Sequence, residues 1–174
     1  MKLLQVSRPI TIALLMALPA IRAEEAAPVP ASPSVPAAPV APALDFGDFS
    51  SETLTTKAWE AYNAKNFANA KAYAQKCADQ FKDKAVEMQK ALTAPATVKE
   101  EVFKSWALND LGTCYFILGQ SLEAEGKGKE ALGAYKFLVD HLSFAQCWDA
   151  KGWFWKPADT ARERVKVLEF EALK

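Results

Sequence analysis

The sequence predicts an all-α domain of about five helices. Its 174 residues are 51% apolar, which is enough for one domain with a buried core. Beyond residue 50, apolar side chains recur at intervals of three and four, the spacing of helices that bury one face. No segment alternates apolar and polar residues as a half-buried strand does. We therefore expect a helical domain over 50–174, without strands.

The first two helices are bounded by a cap, a break and a proline. Ser50 is suited to cap a helix that runs to about residue 64. A polar break follows, and a second helix is expected to start near Phe67 with alanines and aromatic residues along one stripe. Pro95 should end this helix, because proline lacks the backbone N–H that a helix interior requires.

Three more helices are expected in the C-terminal half. The residues at 97–100 form a capping box, which predicts a long helix over 98–125. Gly126 follows this helix, where a left-handed residue commonly ends one. The next helix is expected over 129–142, and Pro157 stands at the first position of the last helix.

The first 23 residues have the layout of a secretory signal peptide. Lys2 and Arg8 give a positive start, residues 10–20 are an apolar run, and Ala23 is a small residue before a cleavage site. The run is shorter than the roughly 20 residues that span a bilayer. The sequence therefore predicts a signal peptide over 1–23 that is cleaved after Ala23, and a periplasmic or secreted protein. An N-terminally anchored protein is the alternative.

Residues 24–49 are predicted to be a disordered linker rich in proline and alanine. It holds six of the ten prolines. Proline fixes φ and removes a backbone donor, so this composition favours an extended polyproline II spacer. We interpret the segment as a stalk that separates the helical domain from its attachment point, and a PxxP-type ligand is the alternative.

Composition and charge exclude several classes of function. Twenty-one basic side chains balance 21 acidic ones, so nucleic-acid binding lacks its main electrostatic drive. One histidine and three cysteines are too few for the usual zinc or histidine-based clusters. We therefore expect no metal and no cofactor. We expect the cysteines Cys77, Cys114 and Cys147 to be free thiols on apolar stripes, and one disulfide among them is the alternative.

One helical stretch resembles a known repeat. Aligning Ala70 with Ala131 relates the first helix pair to the second. The second copy resembles the tetratricopeptide (TPR) pattern at eight positions: Tyr115, Leu118, Gly119, Leu122, Gly126, Ala131, Tyr135 and Leu138. The resemblance extends over 55–142. It implies antiparallel helix pairs in a right-handed stack, with small residues where the helices approach and Tyr135 at the rim.

The TPR resemblance also implies a recognition surface. In such a stack the inner face of the first helix of each pair is free for a partner. By register, this partner-binding face contains Trp59, Tyr62, Asn63, Phe116, Gln120 and Glu123. A separate polar pair, Asn109 and Asp110, lies inside the long apolar helix and is interpreted as a polar face or a helix-to-helix hydrogen bond.

An aromatic segment precedes the last helix. Three of the five tryptophans, Trp148, Trp153 and Trp155, lie close together there, with Gly152 permitting a turn. Exposed rings would form a platform that stacks on sugars or on peptide side chains. The alternative is a tryptophan-rich connector that plugs the open end of the helical stack, with the last helix as its cap.

These features together predict an exported protein-interaction or scaffolding module. Its expected partner is a protein or peptide of the cell envelope. A carbohydrate-binding or polysaccharide-processing protein that uses the tryptophan cluster is the first alternative, and a structural subunit of an envelope assembly is the second. We expect no enzyme, because nothing in the sequence pairs the two carboxylates that glycoside hydrolysis would require.

Overall fold

The computed structural model describes residues 43–149 and 151–174. These residues are mostly helical, which confirms the predicted all-α class. The elements in chain order are α1 (Ser51–Asn63), α2 (Phe67–Ala91), α3 (Lys99–Lys104), α4 (Trp106–Ala124), α5 (Gly128–His141), β1 (Cys147–Asp149), β2 (Trp153–Trp155) and α6 (Pro157–Glu171). The predicted signal peptide and the linker as far as residue 42 lie outside the described residues. None of the described helices is both long and apolar enough to cross a membrane.

Local start and stop signals act as the sequence predicts. The Ser50 side chain accepts a hydrogen bond from the Thr53 backbone N–H at 3.2 Å and caps α1. Pro157 opens α6, where its missing N–H would have no partner in any case. Gly126 has φ +74° directly after α4, a conformation that glycine adopts without steric cost.

The long helix predicted over 98–125 is interrupted. Ser105, at φ −91° and ψ 35°, leaves the helical region and separates α3 from α4. The Asn109 side chain compensates, because its Nδ2 donates to the Val102 carbonyl at 2.7 Å, one of the carbonyls at the end of α3. The predicted capping box is also wrong, since α3 starts without any side-chain cap.

The expectation of no strands is wrong in the aromatic segment. Strands β1 and β2 pair antiparallel, with Trp148 opposite Phe154. The turn between them uses Asp149, whose backbone carbonyl accepts from Gly152 N at 2.9 Å and whose Oδ1 accepts from Lys151 N at 2.8 Å. Gly152 has φ +101°. Strands of three residues are too short for alternation to be recognised in a sequence.

Helix α4 lies at the centre of the fold. Its most extensive contact is with α2, and it also packs against α1, α5 and α6. Close approach to α5 depends on Gly119, since a Cβ at this position would lie 2.4 Å from Cε1 of Tyr135. Tyr135 is completely buried, so its predicted place at the rim is wrong: the absence of a side chain at Gly119 lets the ring enter the core.

The described end of the linker is not disordered, in contrast to the prediction for 24–49. Phe46 packs edge-on against Tyr73 of α2, with ring centroids 5.6 Å apart. Asp45 forms a 3.0 Å salt bridge with Lys57 of α1. Aromatic burial therefore holds residues 43–49 against the first helix pair, and the composition of the preceding proline-rich residues does not extend to them.

We predict that Gly119→Ala destabilises the fold by about 1–3 kcal/mol, because the added methyl group overlaps the buried ring of Tyr135. Chemical denaturation measures the change. Gly133→Ala is the matched control on α5, where an added Cβ meets no atom within 4 Å. This control should stabilise the helix by about 0.5–1 kcal/mol. Equal effects of the two substitutions would contradict the proposed packing.

Candidate functional site

The strongest candidate site is a groove between α1, the α3–α4 junction and the β hairpin. We call it the aromatic groove, and its volume is about 260 Å³. Aromatic side chains form its walls and polar side chains its floor. The lining residues are Thr55, Trp59, Phe103, Trp106, Asn109, Asp110, Thr113, Gln146, Cys147, Trp148 and Phe154.

The walls of the aromatic groove come from separate elements. Trp59 belongs to α1, Trp106 is the first residue of α4 and Trp148 is in β1. Trp106 remains 44% exposed and Trp148 49% exposed. Trp148 packs edge to face on Phe154 at a centroid separation of 4.9 Å, and Phe154 packs in the same way on Phe103 at 5.8 Å. The groove is therefore a preformed aromatic surface that solvent reaches.

Most polar groups of the floor are already bonded within the chain. Asn109 donates from Nδ2 to the Val102 carbonyl at 2.7 Å and accepts at Oδ1 from the Gln146 backbone N–H at 2.9 Å. Gln146 in turn donates from Nε2 to the Ala96 carbonyl at 2.7 Å. The Thr113 hydroxyl donates to the Asn109 carbonyl at 2.8 Å. These bonds fix the floor and leave few polar groups for a ligand.

Asp110 is the charged member of the floor. Its Oδ2 accepts a 2.5 Å hydrogen bond from Ser51 Oγ at the start of α1, which confirms the interpretation of a helix-to-helix hydrogen bond. Burial raises the pKa of the Asp110 carboxyl, and the nearby Glu52 adds to the rise, while the hydrogen bond from Ser51 opposes it. The fold therefore holds a carboxylate in a place that disfavours its charge, as sites with a function often do.

The structure brings only one of the three predicted α1 residues into the aromatic groove. Trp59 lines it. Tyr62 is half-buried beside it, with its ring 5.9 Å from that of Trp59. Asn63 is exposed at the last position of α1 and does not line the groove.

Two of the three residues predicted on α4 have structural contacts of their own. Phe116 is only 5% exposed and packs against Trp155 at 5.2 Å, so its assignment to a partner-binding surface is wrong. Glu123 forms a salt bridge with Arg164 of α6 at 3.0 Å. Gln120 is half-buried, and its Oε1 has no hydrogen-bond partner among the described residues. The inner face of α4 is thus largely covered by the hairpin and α6.

The three tryptophans of the hairpin do not form one platform. Residues paired across two strands point to the same face, so Trp148 shares a face with Phe154. Trp153 and Trp155 lie on the opposite face by alternation along β2. Trp155 packs inward on Phe116, and Trp153 is 49% exposed away from the aromatic groove. Trp148 and Trp153 are therefore exposed, whereas Trp155 packs against α4. Neither the platform nor the plug describes all three rings.

Sequence reasoning missed Phe103 and Trp106 as site residues. Both lie where α3 ends and α4 begins, and a continuous helix over 98–125 gave no reason to expect exposed rings there. They are 56% and 44% exposed, respectively. The sequence predicted Asp110 only as part of a polar face or a helix-to-helix hydrogen bond, and not as a site residue. Besides Trp59 and Trp148, which the sequence did predict, the carboxylate of Asp110 within the mainly apolar first half of α4 was a signal that pointed to this site.

The described residues contain no group of three or more His, Cys, Asp or Glu side chains that is placed to hold a metal ion. Cys77, Cys114 and Cys147 are free thiols in the structure. Cys147 lies in the groove, where burial raises the pKa of its thiol. The thiol is therefore in its protonated form at neutral pH, in which it is a poor nucleophile.

We predict that Asp110→Asn raises the melting temperature at pH 7. The raised pKa means that the folded chain holds this proton more tightly than the unfolded chain does, so stability is lost as pH rises through the raised pKa. Asparagine removes the buried charge and still accepts from Ser51. The gain should shrink as pH falls and vanish below the ordinary pKa of 3.8.

Thermal unfolding followed by circular dichroism measures this effect, in steps of about one pH unit from about pH 3 to about pH 8. Asp83→Asn is the control, because Asp83 is exposed on α2 and should leave the melting temperature unchanged. A lower melting temperature of Asp110→Asn at pH 7 would show that the carboxylate stabilises the fold.

Comparison with known proteins does not identify a family. No family model, curated protein or solved structure matches the chain. The TPR pattern remains a resemblance in the spacing of residues. The function is therefore argued from the geometry of the aromatic groove.

Proposed function

We propose that the chain is a protein-interaction module whose aromatic groove receives one side chain of an extended peptide segment from a partner. Three exposed or half-exposed rings from separate elements make such a groove a suitable anchor point, since aromatic residues dominate the energy of most interfaces. Its volume of about 260 Å³ suits one side chain and is below the usual range for drug-sized ligands.

The observation that carries this proposal is the bonding of the groove floor. A sugar site needs several hydrogen-bonding groups that converge on the ligand hydroxyls. Here the amides of Asn109 and Gln146 and the hydroxyl of Thr113 already bond within the chain. These bonds leave fewer polar groups for the hydroxyls of a sugar. A peptide side chain that packs on rings would leave these bonds intact, so a peptide is favoured over a glycan.

The sequence supports a cellular setting for this module. The signal-like residues 1–23 and the proline-rich residues that follow are typical of an exported domain on a stalk. The partner would then be a protein or peptide of the cell envelope. TPR-like pairing of α1 with α2 and of α4 with α5 would account for the small residues where these helices meet.

A structural subunit is the second candidate, and one observation favours it. The outer face of α6 exposes Val167 and Phe170, and Leu173, two residues beyond the end of α6, is exposed as well. An assembly subunit would bury this face against another copy. Sedimentation at micromolar concentration distinguishes the two functions, since the interaction module should sediment as a monomer.

We predict that Trp148→Ala weakens peptide binding by about tenfold or more, because the loss of a central aromatic anchor costs roughly 2 kcal/mol at an interface. The full chain is immobilised and panned against a random peptide library displayed on phage. Fluorescence anisotropy with synthetic copies of the selected peptides then gives dissociation constants for the wild-type chain and the variant.

Trp153→Ala is the matched control. Trp148 and Trp153 belong to the same hairpin and are equally exposed, at 49%, but only Trp148 lines the aromatic groove. The control variant should bind the selected peptides as the wild type does. A library that yields no binder, or an equal loss in both variants, would refute the proposed function. Binding of soluble glycans with loss in Trp148→Ala would favour the carbohydrate alternative.

A further inference from the structure

One carboxylate oxygen in the aromatic groove has no partner within the described part of the chain. Asp110 Oδ2 is bonded to Ser51, whereas Oδ1 accepts no hydrogen bond from a described residue. No described lysine or arginine forms a salt bridge with Asp110. Glu52 adds a second negative charge nearby. The floor therefore carries negative charge, and one of its carboxylate oxygens is available to accept a hydrogen bond.

Asp110 is a partly buried carboxylate without a counter-ion among the described residues. Water no longer solvates it fully, so its charge is costly unless a cation approaches. The same partial desolvation strengthens its attraction for a cation that does enter, because the effective dielectric constant is lower than in water. The groove therefore favours a positively charged occupant over a neutral one of equal size.

The walls have the same preference. The faces of aromatic rings carry negative electrostatic potential and attract ammonium and guanidinium groups. The structure already contains an example at the edge of the groove. The Lys99 ammonium lies 5.3 Å from the ring centroid of Trp148 and 5.6 Å from that of Phe103. These two rings thus already lie close to one cation of the chain.

We propose that the aromatic groove binds the cationic side chain of an arginine or lysine from the peptide, with Asp110 as its counter-ion and Trp59, Trp106 and Trp148 as its walls. This inference rests on the proposed function and names the residue that the groove selects. Arginine fits both parts of the site, because its planar guanidinium stacks on aromatic rings and donates hydrogen bonds to a carboxylate in the same plane.

The experiment compares N-acetylarginine amide with N-acetylcitrulline amide, which has nearly the same shape but no charge. Each is titrated into the full chain to millimolar concentration, the range in which ligands of this size bind. The indole N–H signals in the NMR spectrum report the site, since the chain has only five tryptophans. We expect the arginine compound to shift the groove indoles with an affinity at least tenfold above that of citrulline. Nα-acetyllysine amide, whose side-chain amine stays charged, should bind with an affinity within a few-fold of that of the arginine compound.

Asp110→Asn tests the counter-ion without removing the hydrogen bond from Ser51. The affinity for the arginine compound should fall about tenfold, to that of citrulline, while the spectrum without ligand keeps its dispersion. Trp153→Ala is again the control and should bind arginine as the wild type does. Equal binding of arginine and citrulline, or unchanged arginine affinity in Asp110→Asn, would overturn the proposal.

The outcome also separates this proposal from the proposed function. If the library selects peptides that depend on Trp148 but contain neither arginine nor lysine, the chain is a peptide-binding module and the cationic selection is wrong. If arginine binds through Asp110 but no peptide is selected, the groove is a cation site and the peptide function is wrong. Replacement of arginine by citrulline in a selected peptide should weaken its binding at least tenfold.

Discussion

The packing of α4 is the constraint on which the rest of the structure depends. This helix contacts α1, α2, α5 and α6, so most of its surface must be apolar or small. Gly119 admits the ring of Tyr135, and Gly112 faces Ala145 so closely that a Cβ there would lie 2.3 Å from the alanine methyl group. Ser121 Oγ and Gln120 Oε1 are buried on α4 without a hydrogen-bond partner among the described residues. Otherwise the polar side chains of such a helix are favoured where they find bonds or reach solvent. Asn109 and Asp110 meet that condition at the one end where α4 borders the aromatic groove.

Most of the helical architecture could be predicted from local signals. Ser50, Gly126 and Pro157 act at the positions expected because caps, left-handed residues and prolines depend on only a few neighbouring residues. The break at Ser105 could not be predicted in this way. Its stabilising contact, from Asn109 to the Val102 carbonyl, depends on side-chain conformation and not on periodicity. The hairpin was missed for a related reason, since three-residue strands leave no pattern.

The site was predicted in fragments. Trp59 came from the face implied by the repeat resemblance and Trp148 from the aromatic cluster, and no local pattern indicated that these rings share one groove. The helix break at Ser105 was not predicted, and the residues on either side of it, Phe103 and Trp106, line the same groove. At the other end of the implied face, Phe116 and Glu123 make structural contacts instead, because the hairpin and α6 cover them. Helical register identifies a face, but only the tertiary fold shows what lies on it.

The side chain of Asn109 has a consequence for the width of the groove. Its Nδ2 holds the end of α3, which carries Phe103, and its Oδ1 holds the backbone at Gln146, two residues before Trp148. A single amide therefore positions two neighbouring parts of the wall, because each part is tied to one of its two polar atoms. Rotation about its χ angles would break both hydrogen bonds together. The aperture available to a side chain is set by one rotamer of a residue that itself makes its bonds only to main-chain atoms.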